Sequence, residues 1–156
     1  HYPSNEYDFF VPMTNQNCNK ERERIYLLVK GKGYSFATYI SSKATVFDRE
    51  NIGENCFILE GSIIQPFAHV GVNTIIWGGF VGHHSMLKDH IFMCHASLCG
   101  HCLVENHCFI GTGSAVAEGV TLRQGSFIAM NSSVIMDTVE WGMYLGSPAL
   151  LQRKLL

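Results

Sequence analysis

The stretch from Val104 to Ile128, VENHCFIGTGSAVAEGVTLRQGSFI, decides the fold, because an aliphatic side chain stands at Val104, Ile110, Val116, Leu122 and Ile128, every sixth position. A step of six matches neither the face of a 3.6-residue helical turn nor the two-residue alternation of a half-buried strand. Worked outward, the step runs back through Leu98, Met93, Leu87, Val81, Ile76, Val70, Ile64, Ile58, Ile52 and Val46 to Ile40, and forward to Val134. Two steps are five residues long, Ile76 to Val81 and Met93 to Leu98. With 47% of the chain apolar, seventeen successive hits have a chance probability of about 0.47 to the 17th power, roughly 3 in a million before choice of phase.

A six-residue unit cannot bury its one apolar side chain alone. Three units make a triangular coil, and stacked coils align those side chains into a continuous core. Small residues four places further on, among them Cys56, Ser62, Ala68, Ser85, Ser97 and Cys108, suit tight corners, and Gly and Asn occupy the turns between. A β-sandwich would instead show strands every 8 to 12 residues or so, with Asn-Gly or Asp-Gly hairpins; neither dipeptide occurs. The fold expected over 40–139 is therefore an all-β solenoid, a parallel β-helix of hexapeptide repeats in five to six coils. The two short steps lie 17 residues apart and should stack on one corner, where a shortened turn bends the wall as a bulge does.

The 156 residues make one ordinary domain with a small appendage. Eleven Lys and Arg against thirteen Asp and Glu, net −2, point away from nucleic acid and anionic membranes as partners. With no long uncharged apolar run and no leader pattern, membrane insertion is not expected, and a cytoplasmic location is. The six cysteines read as reduced thiols. Cys99-Gly100-His101-Cys102 has the spacing of half a zinc site, but the repeat turns Cys102 inward, so no metal site is expected.

Residues 1–39 read as a strand (7–13), a helix through Ile25–Val29 capped by Asn19 and ended by Gly31 or Gly33, and a strand (34–38). This strand-helix-strand unit precedes the solenoid at 40–139, and 140–156 form a C-terminal tail. Ile25, Leu28 and Val29 form the helix's apolar face, and the alternating Lys20-Glu21-Arg22-Glu23-Arg24 run a solvated one.

Seven of the eight histidines fall between 69 and 107, and six of these, His83, His84, His90, His95, His101 and His107, stand at outward-facing turn positions of the repeat. His84 and His101 are equivalent positions one coil apart, as are His90 and His107, so their rings should stack in two columns. A surface or satisfied histidine is the ordinary outcome at any one position, but the cluster favours chemistry. His83, with His84 beside it and Ser85 behind, is the best general base for an amine or hydroxyl nucleophile.

The segments Asn55-Cys56-Phe57-Ile58, Ile64-Gln65-Pro66-Phe67, Trp77-Gly78-Gly79 through Val81-Gly82-His83-His84-Ser85, Ile110-Gly111-Thr112-Gly113-Ser114 and Leu145-Gly146-Ser147-Pro148-Ala149 resemble the left-handed β-helix (hexapeptide-repeat) acyltransferases, within them the nucleotide-amino-sugar N-acetyltransferase and sialic acid O-acetyltransferase-like group of surface-glycan pathways. The resemblance implies a homotrimer, acetyl-CoA as co-substrate in the groove between neighbouring copies, and a sugar nucleotide as acceptor. It implies His83 as base, with His84 where relatives often carry an acid. Gly100, Gly111 and Ala129 would offer backbone groups to the pantetheine or the thioester oxygen, Arg153 or Lys154 would meet the CoA phosphates, and Trp77 and Phe80 would contact the sugar. Residues 1–39 would then be the remnant of a sugar-nucleotide-binding α/β domain. Two other readings stay open: a zinc-dependent lyase of the γ-carbonic-anhydrase type, whose three histidines come from two subunits, and a non-catalytic trimeric scaffold.

Overall fold

Each hexad forms a short extended segment that turns sharply and pairs with the equivalent segment of the next coil. The computed structural model, which describes residues 2–156, shows this throughout. The first wall of the prism is a parallel ladder of Tyr39–Ile40, Phe57–Ile58, Ile75–Val81, Phe92–Leu98, Phe109–Ile110, Phe127–Ile128 and Gly142–Leu145. The second stacks Thr45–Val46, Ser62–Ile64, the far halves of the two long strands, Ala115–Val116 and Ser133–Val134. The third stacks His69–Val70, Met86–Leu87, Leu103–Val104 and Thr121–Leu122.

The aliphatic series fills the interior, and Ile58, Ile76, Val81, Met93, Leu98, Val104, Ile110, Val116, Leu122 and Ile128 have no exposed surface. Burying an aliphatic side chain of this size is worth about 1.5–3 kcal/mol, so this column is the main source of stability. Ile40, Val46 and Ile52 are only partly covered because they lie at the first, open coil.

The two short steps stack as expected. Ile76 pairs with Met93 and Val81 with Leu98, and each five-residue step is absorbed in a seven-residue strand that rounds the corner without a break. Gly78 and Gly79, at φ 71° and 105°, make that corner possible. One consequence was not legible in the hexads. Shortening shifts the small inward residue by one, so Ala96 is buried where Ser97 was expected, and Ser97 faces out.

The ends depart further from the sequence reading. The expected strands at 7–13 and 34–38 reduce to one parallel bridge, Phe9 with Phe36, on either side of the helix. The helix spans Lys20–Lys30, but Asn19 does not cap it with its side chain, and the buried face is Arg22, Tyr26 and Val29, not Ile25, Leu28 and Val29. Beyond 139 the chain keeps building wall: Gly142–Leu145 extends the parallel ladder, and Leu150–Lys154 folds back antiparallel along it. A free edge strand is thereby paired over most of its length. No helix among the described residues is long and apolar enough to cross a membrane.

Candidate active site

Beyond the first coil the corner turns place a residue in the left-handed region, and apart from Phe67 those found at the two corners below are Asn, His and Gly, which tolerate it. One corner carries Asn55, Asn73, His90, His107 and Gly125 (φ 53°, 56°, 61°, 65° and 68°), and the next carries Phe67, His84, His101 and Gly119 (63°, 57°, 57° and 73°). Asn and His are several-fold enriched at positive φ, so backbone geometry alone selects histidine-compatible columns. The predicted stacks form: His84 lies on His101 with centroids 4.9 Å apart and planes at 17°, and His90 lies on His107 at 5.2 Å and 29°.

The two columns then differ. His90 and His107 are buried, against the expectation that these turns all face solvent. The helix covers them and presents Glu23, whose carboxylate takes His107 Nε2 at 2.9 Å and His90 Nε2 at 3.3 Å. Beside it Arg22, 1% exposed, donates to the carbonyls of Asn73 (3.2 Å), Ile91 (2.8 Å) and Met13 (3.3 Å), and Asn19 Nδ2 donates to Cys108 O at 3.1 Å. Burial pulls the Arg22 guanidinium down to about 10, so it stays charged at neutral pH.

A chain of amides fixes the protonation of this corner. The Val11 N–H can only donate, and it donates to Asn55 Oδ1. Asn55 Nδ2 must then donate to Asn73 Oδ1, and Asn73 Nδ2 to His90 Nδ1. His90 therefore carries its proton on Nε2, the nitrogen that lies 3.3 Å from Glu23 Oε1. Burial, opposed by Glu23, holds His90 below the ordinary histidine range, in agreement with a neutral ring.

At the other column His83 and His84 stand on the outer surface with Nδ1 atoms 3.1 Å apart. The His83 ring lies across Gly100 of the next coil: a Cβ there would meet His83 Cε1 at 2.7 Å and Nε2 at 2.8 Å. His101 closes the group, its ring edge-on to His83 at 5.0 Å and its N–H bonded to His83 O at 2.9 Å. Among the described residues two groups of side chains have ligand atoms converging within 4.8 Å, His83 with His84 and His101, and Glu23 with His90 and His107. Sequence reasoning found the columns but missed His101 as a member of the site and missed Glu23 altogether.

Of the remaining candidates, Gly100 alone sits at His83, and its N–H has no backbone acceptor among the described residues. Gly111 and Ala129 lie at the corner between the first and second walls, in a shallow apolar groove with Phe109, Phe127 and Met130. Their N–H groups are taken up by Ile128 O and Tyr144 O. Trp77 occupies the same corner lower down, in an apolar pocket with Phe10, Met13 and Phe92, and Phe80 lies on the second wall. Within one chain a full wall separates that corner from His83. Arg153 and Lys154 are exposed on the last strand. Cys102 is buried and Cys99 exposed, so the two thiols do not converge.

No family model matches the chain. An acyl-[acyl-carrier-protein]–UDP-N-acetylglucosamine O-acyltransferase of Sinorhizobium fredii is 32% identical over 109 residues, 64% of this chain and 40% of that protein. A GDP-perosamine N-acetyltransferase of Escherichia coli O157:H7 is 27% identical over 113 residues, 67% and 48% of the two chains. A mitochondrial γ-carbonic anhydrase of Arabidopsis thaliana is 24% identical over 174 residues, 85% and 62%. Among solved structures, a histidine-to-asparagine variant of perosamine N-acetyltransferase from Caulobacter crescentus, in complex with CoA and GDP-perosamine, superposes with a TM-score of 0.88 at 22% identity, covering 96% of this chain and 70% of that one. The likeness makes the fold a left-handed parallel β-helix. The chain spans between 40% and 62% of the length of these three curated relatives.

Proposed function

We propose that this chain, which resembles the hexapeptide-repeat acyltransferases in both sequence and fold, transfers the acetyl group of acetyl-CoA to a sugar, most readily the amine of a nucleotide-linked amino sugar in surface-glycan synthesis in the cytoplasm. The observation that carries the reading is the seat of His83: its ring is laid on the bare backbone of Gly100, its Nδ1 faces His84, and its Nε2 has no protein hydrogen-bond partner among the described residues. A base held this way is oriented before substrate arrives, which is where much of its advantage lies.

In the proposed reaction His83 Nε2 takes a proton from the acceptor amine as the nitrogen attacks the thioester carbonyl. The C–N bond forms, the carbonyl oxygen gains negative charge, and the uncommitted Gly100 N–H beside the ring is the nearest donor for it. Collapse breaks the C–S bond, and the imidazolium returns its proton to the departing thiolate. Gly111 and Ala129, whose amides are already bonded, serve as a smooth floor for the pantetheine rather than as donors. A homotrimer supplies what one chain lacks, bringing the Gly111–Ala129 groove and Trp77 of one copy beside the His83 corner of its neighbour, with Arg153 or Lys154 toward the CoA phosphates. Complexes of the Caulobacter enzyme with CoA and GDP-perosamine support the class of substrates.

The test is acetyl transfer to dTDP-, UDP- and GDP-linked amino sugars by wild type and His83→Ala. We expect one acceptor to turn over and the variant to lose about 100-fold or more in kcat. Full activity in the variant sinks the assignment of His83, and no transfer to any acceptor sinks the reading itself.

A further inference from the structure

We propose that His83, His84 and His101 form a binding site for a divalent transition-metal ion of the zinc, cobalt or nickel class, and that occupation of this site silences the acetyl transfer by tying up the base. The second half rests on the function proposed above; the first half stands on geometry alone.

The three rings converge from two consecutive coils, with one nitrogen from each within 4.8 Å of the others. The His83–His84 pair is already close to a ligand edge. A separation of 3.1 Å between the two Nδ1 atoms, with metal–nitrogen bonds of about 2.05 Å, gives an angle at the ion of about 98°, within reach of tetrahedral geometry. His101 must close by at most about 1.5 Å to reach the same geometry, a small rotation for a surface ring. The backbone does not have to move. His84 N donates to Pro66 O at 3.2 Å and His101 N to His83 O at 2.9 Å, so the three Cα positions are bolted to the ladder. Phe67 lies under His84 at 4.8 Å and closes the column from below. Above His101 stands Gly119, around which a Cβ would meet nothing within 4 Å, leaving room for a fourth ligand such as water.

The donor set chooses the ion. The convergent donors are imidazole nitrogens with no carboxylate among them, which suits zinc, cobalt, nickel or copper and not magnesium or calcium. The second convergent group is the natural comparison. His90 is held with its proton on Nε2 by the relay from Val11, so the nitrogen that faces Glu23 has no lone pair to give, and the helix covers the ion's path. The surface triad has neither restriction.

The experiment uses untagged wild type, His101→Asn and His107→Asn. Asparagine keeps both turns at positive φ, as Asn55 and Asn73 do in the native chain, so the variants retain the backbone. Titration with Co²⁺, read by the visible absorption of the ion, and with Zn²⁺, read by calorimetry, should give one equivalent per chain for wild type. His101→Asn should bind about tenfold more weakly or worse, and His107→Asn as wild type does. No binding to wild type, or binding indifferent to His101→Asn, overturns the site; loss in His107→Asn alone moves the ion to the buried group and overturns it equally. Zn²⁺ should also inhibit acetyl transfer by wild type and inhibit His101→Asn far less, each rate taken relative to that protein's own rate without the ion. If the ion binds as described but no acceptor is ever acetylated, the metal site stands and the proposed function falls.

Discussion

His83 owes its orientation to a missing side chain. Gly100 has an ordinary backbone conformation, so alanine is stereochemically acceptable there, yet its Cβ would come within 2.8 Å of His83 Nε2. Gly100→Ala should therefore displace the ring with little effect on folding: kcat should fall tenfold or more, since about 1 Å of misplacement can cost a hundredfold, while the melting temperature stays within a few degrees of wild type. Circular dichroism melts beside steady-state rates check this. An unchanged kcat would show that the ring's seat has no bearing on the chemistry. Gly100 was singled out from the sequence by the family resemblance, for its backbone group; a glycine by itself signals close approach by something, but not by what. The family resemblance supplied a cofactor, and the fold supplied a histidine.

The helix Lys20–Lys30 shows how a local pattern misleads when the surface it meets is polar. Its apolar residues Leu27 and Leu28 remain half exposed, whereas Arg22 is covered. A β-helix corner offers carbonyls and the side chains of its left-handed residues, so the docking face needs donors and a carboxylate more than it needs leucines. Arg22 and Glu23 belong to the alternating run that reads as a solvated face. Removing the donors while keeping the bulk tests this. Arg22→Met should leave the carbonyl of Asn73 buried without a partner, at roughly 1–3 kcal/mol if no water enters, and leave Ile91 O with the Ile75 N–H alone. We expect the helix amides to exchange markedly faster and the denaturation midpoint to drop, with the solenoid amides protected as before. Unaltered exchange in the helix would mean that aromatic packing of Tyr26 on Phe36 is what holds it.

Across the whole molecule, buried thiols stand in for small corner residues, and they set a limit at high pH. Burial pushes the Cys56 and Cys108 thiols up from 9.0 to about 12. Between those values the native state keeps both protons and the unfolded chain loses them. The unfolded state then binds fewer protons, and stability falls as pH rises, by up to about 1.4 kcal/mol per pH unit for each thiol. Urea midpoints measured from neutral pH upward should decline above about pH 9, and more steeply in wild type than in the Cys56→Ala/Cys108→Ala double variant, which removes these protons while Lys and Tyr titrate alike in both. Parallel slopes would refute the burial argument. The hexad spacing by itself determined the prism, its inward residues, the corner where two short steps stack, and the two columns of histidines, because each is a property of one coil repeated along the chain. Only the tertiary structure decided that one column is buried under Glu23 and the other open, which helix face docks, and that Gly100 carries His83. The helix contacts depend on segments that meet across some 50 to 90 positions, as Glu23 meets His107 84 residues on, and no period in the sequence ties such partners together; Gly100 follows His83 by one short coil of 17 residues, so the period sets the two side by side but not how the ring lies on the backbone.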